Sequence, residues 1–199
     1  IKAAQPDLVV MDRDENPKSV HDWCIANGLP TFVCDVRHPR DVPLMLRELG
    51  QAVNRSEAAE VHARAIEAML RRAPDTNGRT ALPLIWHRPL MAANGTTYAG
   101  NMLACLGFNV PNIEPDGTGY PEVSPEIILQ HGVTDVFLSS EPHEFTDEES
   151  GSLSEAFGNL TATPPRIHFI DGEDLTWMGS RTAEALQRLG ERLNRVHLE

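Results

Sequence analysis

An α/β fold of two Rossmann-like lobes, each built on a parallel sheet and joined by a long bridging helix, is what this sequence predicts. Three observations lead there. Five short apolar runs are continuous rather than alternating, which suits strands covered on both faces. Helical segments with readable ends separate most of them, giving the strand, helix, strand rhythm of parallel crossovers. One stretch, residues 40–73, has no strand signal and reads as helix throughout.

The first run is "DLVVM" at 7–11, followed by a helix that Asn16 caps, Pro17 opens and Gly28 closes. "TFVC" at 31–34 is the second strand. Next comes "RDVPLMLRELGQAVNRSEAAEVHARAIEAMLRRA", a short helix and then a longer one from about Ser56, with Val61, Ala65, Met69 and Leu70 expected along one face. A helix of about 17 residues is roughly 25 Å long, enough to cross between lobes. The polar "PDTNGRT" at 74–80 restarts the strand pattern. The expected division is therefore 1–52 for a partial N-terminal lobe, 53–79 for the bridging helix and linker, and 80–199 for the C-terminal lobe.

In the second half, "LPLIW" (82–86), "DVFLS" (135–139) and "RIHFI" (166–170) are the strands. Ser124 and Pro125 open one helix, which closes at Gly132; Thr146 with Glu149 has the spacing of a capping box; Ser180 is placed to cap the last helix.

Composition narrows the function. The 199 residues carry 17 Lys and Arg against 29 Asp and Glu, a formal charge of −12, which argues against nucleic acid and anionic membranes as partners. Apolar runs stay near strand length, so no membrane insertion is expected of this segment. Cys24, Cys34 and Cys105 have no C-x-x-C spacing and read as small buried hydrophobes, a pattern slightly better suited to a reducing compartment. The opening "IKAAQPDLVV" begins inside a structural unit, so an upstream segment is expected, while the closing "HLE" is given no structural meaning.

Ligands of open parallel α/β sheets bind outside the carboxyl ends of the strands, so the residues there are the functional census. They are "DRDEN", "DVRHP", "HRPLMAANGTTY", "SEPHEF" and "DGEDLTW". Trp86, Arg88, Tyr98, Glu141, His143 and Trp177 lie in or beside them, a mixture of flat apolar faces and a few charges that suits a sizeable, partly polar ligand. Each has a plainer reading: Trp86 as a core cap, Arg88 and Arg181 as partners of nearby carboxylates, Tyr98 as a hydrogen bond across the loop. His143 forms no metal spacing and reads as solvent-facing; His21, His62 and His168 read as structural. Asp171, Glu173 and Asp174 read as an acidic, solvated loop. No nucleophile elbow, phosphate loop or dinucleotide fingerprint is present, so no catalytic residues and no resident metal or cofactor are expected.

In order along the chain, "AAQPDLVVMDRDEN", "GLPTFVCDVRHPRDVPLMLRELGQAVNRSEAA", "NMLACLGFNVPNI", "YPEVSPEIILQHGVTDVFLSSEP" and "DGEDLTWMGSR" resemble the substrate-binding proteins of ABC importers for cobalamin, haem or iron-siderophore chelates, the helical-backbone metal receptors. The resemblance implies a cobalt or iron chelate as ligand, an ABC permease as partner, a monomer, and an extracytoplasmic location, the free cysteines leaving a cytoplasmic one open. It implies a further strand–helix–strand unit before Ile1. Residue by residue, Tyr120 matches a ligand-facing aromatic position, Trp177 lies in the ligand-offering loop, and Glu126 matches the acidic residue that docks on permease arginines. Glu15 and Glu141 follow strands in opposite lobes and stand as candidates to face each other across the cleft. Trp86, Tyr98, Tyr120 and Trp177 are the expected stacking surfaces, with Arg88 or Arg181 for ligand carboxylates or phosphate. For haem, Tyr98, Tyr120 and His143 are the available axial ligands. Two alternatives stay open: a metal-dependent or acid/base enzyme using His87, Glu141 and His143, and a permease-independent carrier or sensor.

Overall fold

The computed structural model describes residues 1–71, 78–114 and 116–196, the side chains of the last three excepted. The expected linker at 74–77 and the closing 197–199 lie outside the described residues. Strands β1 (Val9–Asp12) and β2 (Thr31–Cys34) form a parallel pair, with α1 (Lys18–Ala26) between them in sequence. A second sheet has the order β4-β3-β5-β6, from β3 (Ala81–Trp86), β4 (Met91–Ala92), β5 (Asp135–Ser139) and β6 (Arg166–Ile170). β3, β5 and β6 run parallel, and β4 turns back antiparallel on β3. This short antiparallel strand is absent from the sequence reading, because two residues following "HRPL" carry no periodic signal.

The mid-chain segment folds as α2 (Val42–Ala52) and α3 (Ser56–Leu70). At about 1.5 Å per residue α3 is roughly 22 Å long. Its buried stripe is Ala59, Ala63 and Ile66, and Met69 and Leu70 pack beside it. Val61 is 68% exposed and Ala65 is exposed too, so the expected face is corrected: Met69 and Leu70 belong to it, but the real stripe is the 59, 63, 66, 70 row. Gly50 lets α2 and α3 meet closely, since a Cβ there would collide with the Cβ of Ala59. Arg47 adds ion pairs to Glu60 (2.6 Å) and Glu67 (2.7 Å) across the two helices.

The remaining helices are α4 (Tyr98–Cys105), α5 (Pro125–Gln130), α6 (Asp147–Leu160), α7 (Gly172–Thr176) and α8 (Thr182–Val196). Ser124 caps α5 through the N–H of Ile127, and Gly132 follows that helix at φ 65°. Thr146 and Glu149 form the full capping box of α6. α8 begins at Thr182, two residues beyond the expected cap.

One apolar core joins the two sheets. Val36, Val42, Met45 and Leu46 share it with Ile66, Met102, Leu103, Phe137, Leu186 and Leu189. The core thus crosses both expected division points. A second cluster on the larger sheet gathers Leu82, Leu84, Ile128, Val136, Leu138 and Phe157. At the N-terminal end of β5, buried Asp135 accepts hydrogen bonds from Arg79, from His168 (2.9 Å) and from the Thr134 hydroxyl (2.7 Å). Burial pushes this carboxyl's pKa up, but those bonds outweigh it and hold the group well below the usual carboxylate range. The cysteines are all free, and burial raises the thiol pKa of Cys34 and Cys105. No described helix is long and apolar enough to cross a membrane.

Candidate functional site

Because β3, β5 and β6 are parallel, their carboxyl ends share one edge of the sheet. Trp86 ends β3, the 140–146 loop leaves β5, and α7 follows β6 and ends at Trp177. "DGEDLTW" is therefore a short helix: Asp171 caps it by accepting from the Asp174 N–H, and Trp177 is its C-cap. Gly172 allows the close approach to the β5 loop, since a Cβ there would lie 2.5 Å from the Glu141 nitrogen.

The two indoles flank that loop and stay exposed, Trp86 at 41% and Trp177 at 51%. Trp177 donates its Nε1–H to Glu141 Oε2 at 2.8 Å, and the Arg181 guanidinium lies over its ring, 5.3 Å from the centroid. Arg181 is in turn tied to Glu173 (2.8 Å) and Asp174 (3.1 Å). Trp86 donates to the Arg88 carbonyl at 3.1 Å and meets the His143 ring edge-on at 5.8 Å. Glu141 and His143, two residues apart, thus hold one indole each.

The N-terminal sheet meets this half at its own carboxyl ends. Tyr120 donates its hydroxyl to Asp14 Oδ2 (3.1 Å), and Asn101 donates to the Arg37 carbonyl (2.9 Å). Arg37 holds Asp14 (2.9 Å), and Arg13 holds Asp35 (2.9 Å). Burial, with the Asp14 charge beside it, pushes the Tyr120 pKa far up, so the phenol stays a donor.

Glu15 and Arg88 are exposed, and Glu126 is exposed with its carboxylate accepting from Ser124 Oγ at 2.6 Å. That hydroxyl, then the helix's own first-turn N–H, lowers the Glu126 pKa.

Four expectations need correcting. Tyr98 is only 6% exposed, with its hydroxyl 2.8 Å from Thr182 Oγ1, so its ring is core and offers no face to a ligand. Asp174 is 4% exposed and paired with Arg188 (2.6 Å) as well as Arg181, so it is a buried anchor rather than part of a solvated loop. His143 is not simply solvent-facing: its Nε2 lies 3.1 Å from both carboxylate oxygens of Glu149. The same carboxylate meets His87 Nδ1. Glu141 holds Trp177, so the carboxylate facing the two histidines is Glu149, which the sequence presented only as half of a capping box. The backbone N–H of Thr146 first, then His143 and the charge of His87, keep the Glu149 pKa low against its partial burial.

No known family profile matches the chain, and no curated protein matches it. Solved structures do. The periplasmic vitamin B12 binding protein BtuF of Vibrio cholerae is 13% identical with a TM-score of 0.72, covering 100% of this chain and 78% of its own. A periplasmic haem-binding protein from Pseudomonas aeruginosa is 18% identical with a TM-score of 0.72, over 95% of this chain and 72% of its own. A possible iron-binding periplasmic solute-binding protein from Staphylococcus epidermidis is 16% identical with a TM-score of 0.71, over 96% of this chain and 78% of its own. The chain has the fold of these proteins, the helical-backbone metal receptor fold.

Proposed function

We propose that this chain captures a metal chelate of the cobalamin, haem or ferric-siderophore kind at the strand-tip edge of its larger sheet and delivers it to an ABC importer, performing no chemistry itself. The observation that carries this reading is the pair of exposed indoles, Trp86 and Trp177, flanking one loop on the edge where α/β sheets bind ligands. Proteins of the same fold bind vitamin B12 and haem, both metal-holding macrocycles.

In this reading the chain divides at about residues 53–79 into two lobes, and the N-terminal lobe brings Glu15 to the other side of the cleft. Trp86 and Trp177 stack on the chelate, Tyr120 closes the wall between the lobes, and Arg88 meets ligand carboxylates or phosphate. Glu141 accepts from the Trp177 indole N–H, and Arg181 lies over one face of the ring. An indole that buries about 80 Å² against the ligand contributes about 2 kcal/mol at ~25 cal/mol per Å². Because α3 packs on α2 and α8, the lobes close little around the ligand. Glu126, exposed and fixed by Ser124, docks on arginines of the permease. The protein acts as a monomer outside the cytoplasm.

A thermal-shift screen of the full chain against cobalamin, haem and several ferric siderophores tests the proposal. One chelate class is expected to raise Tm by several degrees at saturating concentration. A folded protein that none of them stabilises would end this reading.

A further inference from the structure

We infer that His87, His143 and Glu149 form a zinc site beside the strand-tip edge. One ring nitrogen of each histidine and a carboxylate oxygen of Glu149 all lie within 4.8 Å of one another, and it is Nδ1 of His87 and Nε2 of His143 that meet the Glu149 carboxylate. Zinc takes imidazole nitrogen at about 2.0–2.1 Å and carboxylate oxygen at about 2.0–2.2 Å, and sites with three protein ligands complete the tetrahedron with a water. Two imidazoles and one carboxylate are such a set.

The groups are preorganised by what surrounds them. Phe145, 6% exposed, packs against both rings, stacked on His87 at 6.2 Å and edge-on to His143 at 4.9 Å. The two imidazoles contact each other at 5.9 Å between centroids. Glu149 is aimed by the Thr146 N–H, which donates to Oε2 at 2.9 Å. Neither ring is free to turn its nitrogen away without losing that packing, and support of this kind is what orients metal ligands. Without metal, both imidazoles have to donate N–H to one carboxylate; with zinc, both nitrogen lone pairs and the carboxylate share a cation. The residues come from the β3 turn, the β5 loop and the first turn of α6, so the metal ties three segments together. His143 also touches Trp86 at 5.8 Å, which makes the site a brace for one wall of the edge.

Divalent late first-row metals all favour imidazole, and zinc needs no geometry beyond three inward ligands and a water. The inference stands apart from the chelate reading, because its probe is zinc alone.

The test is isothermal titration of the EDTA-stripped full chain with Zn²⁺, together with zinc-edge X-ray absorption of the loaded protein. One equivalent is expected to bind, with Kd on the order of 1 μM or tighter, and the absorption spectrum should show the outer-shell scattering of two imidazoles. H87A and H143A should each weaken binding by more than the roughly 10–100-fold that a supporting residue costs. E149Q keeps a capping side chain on α6 but loses the anionic ligand, and should weaken zinc at least about tenfold. H21A, on α1, should change nothing. Less than one equivalent, a spectrum without imidazole scattering, or affinity unchanged in H87A and H143A would overturn the site. The spectrum of the unaltered protein decides the matter even if a variant fails to fold.

Discussion

Val10 of β1 and Val33 of β2 are 50% and 40% exposed, whereas all five residues of β5 are buried. On paper "DLVVM" and "DVFLS" are the same kind of apolar run. The difference is in what covers them: β5 lies between β3 and β6 with an apolar cluster on each face, while among the described residues β1 pairs only with β2. The same contrast holds for charge. Asp135 is a fully buried carboxylate gripped by several donors, and Asp35 is a half-exposed partner of Arg13. The larger sheet is thus the platform on which both tryptophans stand, and the carboxyl ends of the β1–β2 pair reach it through Asp14 and Arg37.

The hardest break of that comparison is Asp135→Asn. It leaves Arg79 facing a neutral amide in a buried cluster and should cost about 3–5 kcal/mol, while Asp35→Asn at the surface should cost about 0–1 kcal/mol. Because the folded pKa of Asp135 lies below its unfolded value, its contribution is fully present above the ordinary carboxylate pKa of about 3.9 and is lost as pH falls below it. Urea unfolding of the native and D135N proteins should therefore differ most at neutral pH, with a gap that narrows steadily as pH falls below about 3.9. A gap that stays constant with pH would contradict the assigned charge state.

Leu138→Ala empties a fully buried position on β5 and should cost about 2–5 kcal/mol. Val33→Ala on β2 should cost about 0.5 kcal/mol or less. Equal losses in the same unfolding assay would mean that the two sheets are not as different as their burial says. Tyr98→Phe removes one buried hydrogen bond to Thr182, which should cost about 1 kcal/mol and leave ligand affinity untouched. A loss of affinity there would return Tyr98 to the cleft.

Much of the backbone plan was legible because its signals are local. Ser124–Pro125 and the Thr146/Glu149 box mark helix starts where the structure has them, and the five apolar runs overlap five of the strands. What depends on tertiary phase was harder to read. Val61 and Ala65 have helical spacing as good as Ala59, Ala63 and Ile66, and only the packing of α2 and α8 selects the second row. Tyr98 follows a strand-tip loop as a ligand-facing residue would, yet the first turn of α4 points it into the core against Thr182. The exposure of Trp86 and Trp177 agrees with their polar surroundings in sequence. The grouping of His87 with His143 and Glu149 has no sequence signature, since 62 residues separate His87 from Glu149 and only the β3–β5 pairing brings them together. Arg181 is the converse: an arginine near acids, as in the plainer reading, but one whose guanidinium also covers an indole.

The most direct test of the platform is a fluorescence titration of the stabilising chelate into the native protein and into W177A, with unfolding curves for both. The account predicts saturable one-to-one binding to the native protein, an affinity about 30-fold weaker in W177A, equivalent to about 2 kcal/mol, and unchanged unfolding. W177A binding as tightly as the native protein would contradict it.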